Sequence, residues 1–327
     1  MADDRPNLTP TLLFWALGIQ LILGGLLVWQ ASTGFALFGG GDGETATQQA
    51  PPATSAPAVA TTATVPRAKV DRFDAPAAME WARRQVALGP RPAGSPAQRE
   101  AAAFLVKALP NGRFVDLGPT YPGLRNIEGS LPGRGEPILL VAHYDTTPVE
   151  GYVGANNSAA GVGAVIELAR ALKRDQKPTD RPIRFLLTDG EEPATYPISG
   201  DFYEHGLRGA KVAAQTIRAG DVIVLDFIAQ KDLRIEREAG SDPILWQQLR
   251  RAARQVGVGS VFPDEARSEI QDDHTPFVRA GMRAIDLIDF DYPCWQKPCD
   301  TMDKLSTRSL DASGEAVLQL VRQLRRG

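Results

Sequence analysis

Residues 137–172 read PILLVAHYDTTPVEGYVGANNSAAGVGAVIELARAL, and this stretch decides the fold class. Its opening, PILLVA, reads as a short apolar strand. Its close, SAAGVGAVIELARAL, has the apolar spacing of a helix over 158–172. Between them lies a polar loop that carries His143, Asp145 and Asn157. Working outward, Met79, Trp81, Ala82 and Val86 recur at helical spacing within 75–88. Ser95 opens a second helix over 96–109, with Pro96 in its first turn. Residues 126–131, 183–187, 222–225 and 284–288 read as strands, and 242–256 and 309–324 as helices. Strands alternating with helices predict an α/β fold, a three-layer sandwich around a mostly parallel mixed sheet.

Polar clusters fall just beyond three of these strands. His143-Tyr-Asp145 follows ILLVA, Asp189-Gly-Glu191-Glu192 follows IRFLLT, and Asp226 follows VIVL. The C-terminal edge of parallel strands is where open α/β sheets bind ligands. Alone, His143-x-Asp145 reads equally well as a structural pair, and Glu191-Glu192 reads more readily as a solvated loop. Adjacent glutamates also suit a metal hydrolase, because one can ligate while its neighbour moves protons.

The rest of the 327-residue chain bounds the possibilities. Thirty-six basic and 39 acidic residues give a formal charge of −3, which offers no electrostatic case for nucleic acid. Residues 12–29, LLFWALGIQLILGGLLVW, are long enough to cross a bilayer as a helix, with Trp15 and Trp29 near its ends. The expected organisation is a short tail (1–11), a transmembrane anchor (12–33), a flexible Ala/Thr/Pro-rich linker (34–66) and one folded domain (67–327). The alternative for the apolar run is a cleaved signal peptide, but Asp3 and Asp4 offset Arg5 and no small-x-small signal follows clearly. Arg5 is the sole basic residue before Arg67, so the positive-inside rule predicts a single-pass membrane protein with an extracytoplasmic C-terminal domain.

Six blocks occur in order: AHYDT (142–146), VGANNSAAGVGAVIELARAL (153–172), FLLTDGEEP (185–193), VLDFI (224–228), EIQDDHTPFVRAG (269–281) and DYPCWQKPCDTMDKLS (291–306). Together they resemble the zinc aminopeptidase and glutaminyl-peptide cyclotransferase superfamily, the metallopeptidase family twenty-eight type. The QDDHTPF block and Trp295 resemble the glutaminyl cyclase-like branch. The resemblance implies a zinc exopeptidase-like fold and an enzyme acting on the N-termini of peptides or proteins, with one or two zinc ions. In two-zinc members His143 and Asp226 would hold one ion and Glu192 the other, with Glu191 as general base. In cyclotransferases Glu191, Asp226 and Asp273 would relay protons from the substrate α-amine, and Trp295 would line the substrate pocket.

Two positions depart from the family's pattern: Asn157 stands where it places an aspartate ligand, and Gln296 where it places a histidine. A neutral amide offers neither a negative charge nor an imidazole nitrogen. Disturbing even an outer partner of a zinc ligand typically costs roughly 10- to 100-fold in affinity, so two direct losses weaken the one-zinc site by about 10²- to 10⁴-fold. His143, Asp226 and the Asn157 carbonyl oxygen leave a thinner site, with Asp145 orienting His143. The functional expectation is therefore double: a zinc-dependent aminopeptidase or glutaminyl cyclase, or a catalytically inactive peptide-binding relative that has lost zinc.

Of the remaining residues, His274 reads as a structural hydrogen bond at a helix start, His205 as a surface or lid residue, and Ser158 as the cap of the helix it opens. Ser158 lacks the G-x-S-x-G elbow of a serine hydrolase. Cys294 and Cys299, the only cysteines, read as two buried thiols, a metal pair without a second pair, or, in an external compartment, a disulfide that stiffens the pocket wall.

Overall fold

The computed structural model describes residues 64–326. The expected tail and anchor, and the linker up to residue 63, lie outside the described residues. Among the described residues no helix is long and apolar enough to cross a membrane.

Six strands form one sheet: β1 (Arg113–Asp116), β2 (Arg125–Leu131), β3 (Ile138–His143), β4 (Ile183–Thr188), β5 (Asp221–Leu225) and β8 (Ala284–Leu287). Their order is β1-β2-β4-β3-β5-β8. The first two pairings are antiparallel and the remaining three parallel, so the sheet is mixed and mostly parallel, as the alternating pattern predicts. Two short strands, β6 (Arg237–Glu238) and β7 (Ala266–Arg267), pair separately.

Side chains alternate across the sheet. Ile138, Leu140, Ile223, Leu225 and Ile285 point into the larger core, shared with helices α1 (Ala75–Val86), α2 (Pro96–Ala108), α3 (Gly161–Asp175), α6 (Pro243–Val256) and α8 (Thr307–Leu324). Leu139, Val141, Val222 and Val224 face the opposite core, covered by α5 (Arg208–Thr216) and α7 (Thr275–Arg279). The result is helix, sheet, helix. A central side chain such as Leu140, fully buried, holds both β3 and the residues just beyond it; truncation of such a residue to alanine costs roughly 2–5 kcal/mol. Gly163 lets α3 approach α1, because a Cβ there would lie 2.2 Å from the Ala78 carbonyl oxygen.

Local signals mark several boundaries. Ser95 accepts from the Gln98 N–H at 3.1 Å and Asp242 from the Leu245 N–H at 2.7 Å, each capping its helix. The helix expected from Ser158 begins instead at Gly161, after a π-type turn over Ala155–Ala160. Asn157 and Ser158 hold non-helical dihedrals, and the buried Ser158 hydroxyl caps nothing. The half-exposed strand β1, the alanine-rich helix α5 and the short helix α4 (Phe202–His205) carry no pattern that the sequence makes plain, whereas α7 starts at His274 as expected.

The loops that reach the sheet edge are braced by Asp300. Its Oδ1 accepts the Asn156 N–H at 2.9 Å and the Tyr292 hydroxyl at 2.8 Å; its Oδ2 accepts the Asn157 N–H at 3.1 Å. Cys294 and Cys299 are disulfide-bonded, with Cα atoms 5.4 Å apart, and close the loop that leads into Asp300. Asp300 is fully buried, so its loss leaves two backbone N–H groups and a hydroxyl without their acceptor. Asp300→Ala is expected to lower unfolding free energy by roughly 2–4 kcal/mol, measured by urea denaturation. A change below about 0.5 kcal/mol, the usual size for an uninvolved surface position, would remove Asp300 as the brace.

Candidate functional site

The C-terminal ends of β3, β4 and β5 gather the polar clusters at one place. His143 is the last residue of β3, Asp189–Glu192 follow β4, and Asp226 follows β5. The β4 loop is fixed from two directions. Asp145 accepts the N–H groups of Glu191 and Glu192, each at 3.2 Å. Arg208, the first residue of α5, donates to the carbonyls of Gly190 and Glu192 at 3.2 and 2.6 Å. A helix that the sequence reading omitted thus positions the paired glutamates.

A continuous chain of buried polar groups runs through the site. His143 Nε2 lies 2.6 Å from Asn157 Oδ1. The Asn157 side-chain amide donates to Glu192 Oε1 at 2.8 Å, and the Gln296 amide donates to Glu192 Oε2 at 2.9 Å. On its other side His143 Nδ1 stands 3.4 Å from Asp145 Oδ1. Glu191 and Asp226 face His143 Nε2 at 3.9 and 3.7 Å. These two are charge contacts rather than hydrogen bonds.

The electrostatics follow from one histidine among many carboxylates. Burial alone would depress His143, but the carboxylates of Glu191, Asp145 and Asp226 outweigh it and hold the imidazole protonated well above its ordinary range. Burial pushes Glu191 far up; its glutamate and aspartate neighbours add to this, and His143 opposes it. Burial likewise raises Glu192 to about 8 and Asp226 in the same direction, again against His143. Carboxyls raised in this way take up a proton more readily than in water, which proton transfer uses.

Both aspartates of the QDDHTPF block join the cluster. Asp273 accepts the Thr188 hydroxyl, and burial with Asp272 beside it drives its pKa far up. Asp272, which the sequence reading passed over for its neighbour, is raised to about 6 by burial and then by Asp226. Two adjacent acids in one block gave no basis for choosing between them. Asn156, Gln230 and Asp289 extend the network: Asn156 donates to Gln230 at 3.2 Å, and Gln230 to Asp289 at 2.7 Å. No sequence signal marked Asp300, Gln230 or Asp289.

Trp295 is 7% exposed and packs on Phe290 with ring centroids 5.3 Å apart. Phe290 meets Phe227, the residue after Asp226, edge to face at 6.2 Å. Phe227, Phe290 and Trp295 therefore form one aromatic wall, joined in the chain to Asp226 through Phe227 and to Gln296 through Trp295. His274 makes no side-chain cap at α7; it is buried 3.3 Å from Glu238 and 3.8 Å from Asp286. His205 is exposed and contacts the Ser199 carbonyl at 3.1 Å. Among the described residues no group of three or more histidine, cysteine or acidic side chains is arranged to hold a metal ion.

The comparisons agree with this architecture. The profile described as Peptidase family M28 matches residues 126–321. Aminopeptidase YwaD of Bacillus subtilis is 26% identical over 191 residues, 56% of this chain and 40% of its own length, so the chain spans about two fifths of that relative. The solved glutaminyl cyclase of Porphyromonas gingivalis is 27% identical with a TM-score of 0.68, covering 78% of this chain and 99% of its own. An exopeptidase of Parabacteroides distasonis, described as Zn-dependent, is 25% identical with a TM-score of 0.67 over 79% of this chain and 99% of its own. The matched residues carry every strand-end cluster described above, and the chain belongs to peptidase family M28, among aminopeptidase-like and glutaminyl cyclase-like proteins.

Proposed function

We propose that this chain acts on the N-terminal residue of peptides in the manner of a glutaminyl cyclase, receiving the free α-ammonium group among Glu191, Asp226 and Asp273. The observation that carries this reading is the convergence of the Glu191 and Asp226 carboxylates within 3.9 and 3.7 Å of His143 Nε2, beside the Trp295 wall. A group of carboxylates with little competing positive charge attracts an ammonium ion. Trp295 offers a flat apolar face to the side chain of the bound residue. The apolar run at 12–29 supports the further proposal of a membrane-held domain outside the cytoplasm.

Relatives suggest zinc, and the donors present test whether it fits. The Asn157 and Gln296 amides turn their nitrogens, not their oxygens, toward Glu192. His143 Nε2 is engaged with Asn157 Oδ1. A zinc ligand must offer a lone pair, best from a carboxylate, thiolate or imidazole, and the two amides present N–H donors to Glu192 instead. The residues do not fit a resident zinc at this position, so the chemistry is derived from the side chains alone. Asp226 takes a proton from the bound α-ammonium. The neutral amine attacks the side-chain carboxamide carbon of an N-terminal glutamine. Glu191 carries a second proton from the attacking nitrogen to the departing one, the carbon–nitrogen bond breaks, and ammonia leaves, taking the Asp226 proton with it as ammonium. Asp273, held by Thr188, stabilises the proton on Glu191.

A second reading, a peptide-binding relative without turnover, is favoured by one observation: both Glu192 oxygens are already occupied by amide donors. The full chain separates the two. A peptide with free N-terminal glutamine is expected to bind and release ammonia, whereas its N-acetylated form does neither. Glu191→Gln is expected to lower kcat by roughly 10²- to 10⁴-fold. Trp295→Ala should act mainly on KM. Binding of the free-amine peptide without ammonia release selects the second reading. Equal binding of the acetylated peptide would sink both.

A further inference from the structure

We propose that Asn157 and Gln296 form a matched amide clamp that holds Glu192 in place of a divalent cation, so that the site is preorganised without metal. The inference deepens the reading above by assigning how the site keeps its shape. Three observations carry it, each about hydrogen-bond chemistry.

The first is complementarity. Glu192 is 1% exposed, and each of its oxygens receives one side-chain N–H donor, Asn157 Nδ2 at 2.8 Å and Gln296 Nε2 at 2.9 Å. A buried carboxylate needs donors or a cation on both oxygens. The two departures from the family's pattern supply one donor each. Either one alone would leave half of the carboxylate unsatisfied.

The second is direction. The Asn157 orientation is set by Glu192, which its nitrogen meets at 2.8 Å while its oxygen lies 2.6 Å from His143 Nε2. Turning the amide over would set its oxygen against the Glu192 carboxylate oxygen. Asn157 and Gln296 therefore converge on Glu192 in one hydrogen-bonded series, with His143 Nε2 beside the Asn157 oxygen at its far end. A cation placed beside Glu192 would have to reverse both amides and break that series.

The third is placement. Gln296 sits at φ +47°, in the left-handed region that a non-glycine residue adopts at a cost. The loop that holds it there is closed by the Cys294–Cys299 bond and runs into Asp300. Asp300 in turn fixes the Asn157 backbone N–H at 3.1 Å. The same brace thus sets both halves of the clamp.

The test is thermal unfolding of the full chain at pH 8, without peptide, in EDTA and in zinc, beside the double variant Asn157→Asp with Gln296→His. The natural chain is expected to show the same Tm in both, within about 1 °C. A zinc site filled a hundredfold above its Kd would raise Tm by roughly 5–10 °C in a domain of this size, and such a rise in the natural chain overturns the proposal. The double variant is expected to lose roughly 5 °C or more in EDTA, where two carboxylates face one another, and to regain it in zinc. A double variant as stable as the natural chain in EDTA would show that the amides hold nothing. If the variant does not fold in EDTA the loss is complete, and the natural chain's indifference to zinc still decides. No peptide is present, so a chain that turns over no peptide leaves the clamp standing, and a chain that binds zinc removes it whatever its substrate.

Discussion

A carboxylate taken out of water must be given donors, and the arrangement of this site follows from how Glu192 obtains them. Leaving one oxygen of a buried carboxylate unpaired costs several kcal/mol, comparable with much of a domain's net stability. Glu192 follows β4 and is pinned by Asp145 and Arg208 through its backbone. Its side chain therefore meets whatever the 155–160 turn and the 294–299 loop present. Both present amide nitrogens, and Asp300 keeps both loops in register. Sheet, brace and clamp are three levels of one requirement.

The same burial that demands donors for Glu192 sets the character of its neighbours. Glu191, Asp226, Asp272 and Asp273 crowd around His143, with His274 beside Asp272, and desolvation raises every one of them. His143 cannot neutralise so many acids. Each takes up a proton more readily than in water, and the cluster as a whole is suited to a cationic amine. The aromatic wall of Phe227, Phe290 and Trp295 closes one side of it. Charge selects the terminus of a peptide, and the wall meets its side chain.

Much of this was legible in the sequence where periodicity or position carried a physical signal. The apolar runs before His143, Glu191 and Asp226 are strands, and the polar residues after them share the sheet's C-terminal edge. Asn157 and Gln296 stood out because the family resemblance places an aspartate and a histidine there, and neutral amides are poor zinc ligands. What the sequence could not show is that the two amides point at the same carboxylate, since 139 positions separate them along the chain and only the fold joins them. Ser158 looked like a helix cap by residue type, yet its backbone is not helical and the helix starts at Gly161. Asp300 carried no signal at all: its importance lies in whose N–H groups it receives. Arg208 was invisible for the same reason: its importance lies in the Gly190 and Glu192 carbonyls it reaches.

The most direct test of the central claim is anomalous diffraction at the zinc edge from crystals of the full chain grown with zinc. The account predicts no zinc peak beside Glu192, with Asn157 and Gln296 within hydrogen-bonding distance of its two oxygens. A full-occupancy peak bonded to Glu192, with either amide oxygen turned toward it, would contradict the account.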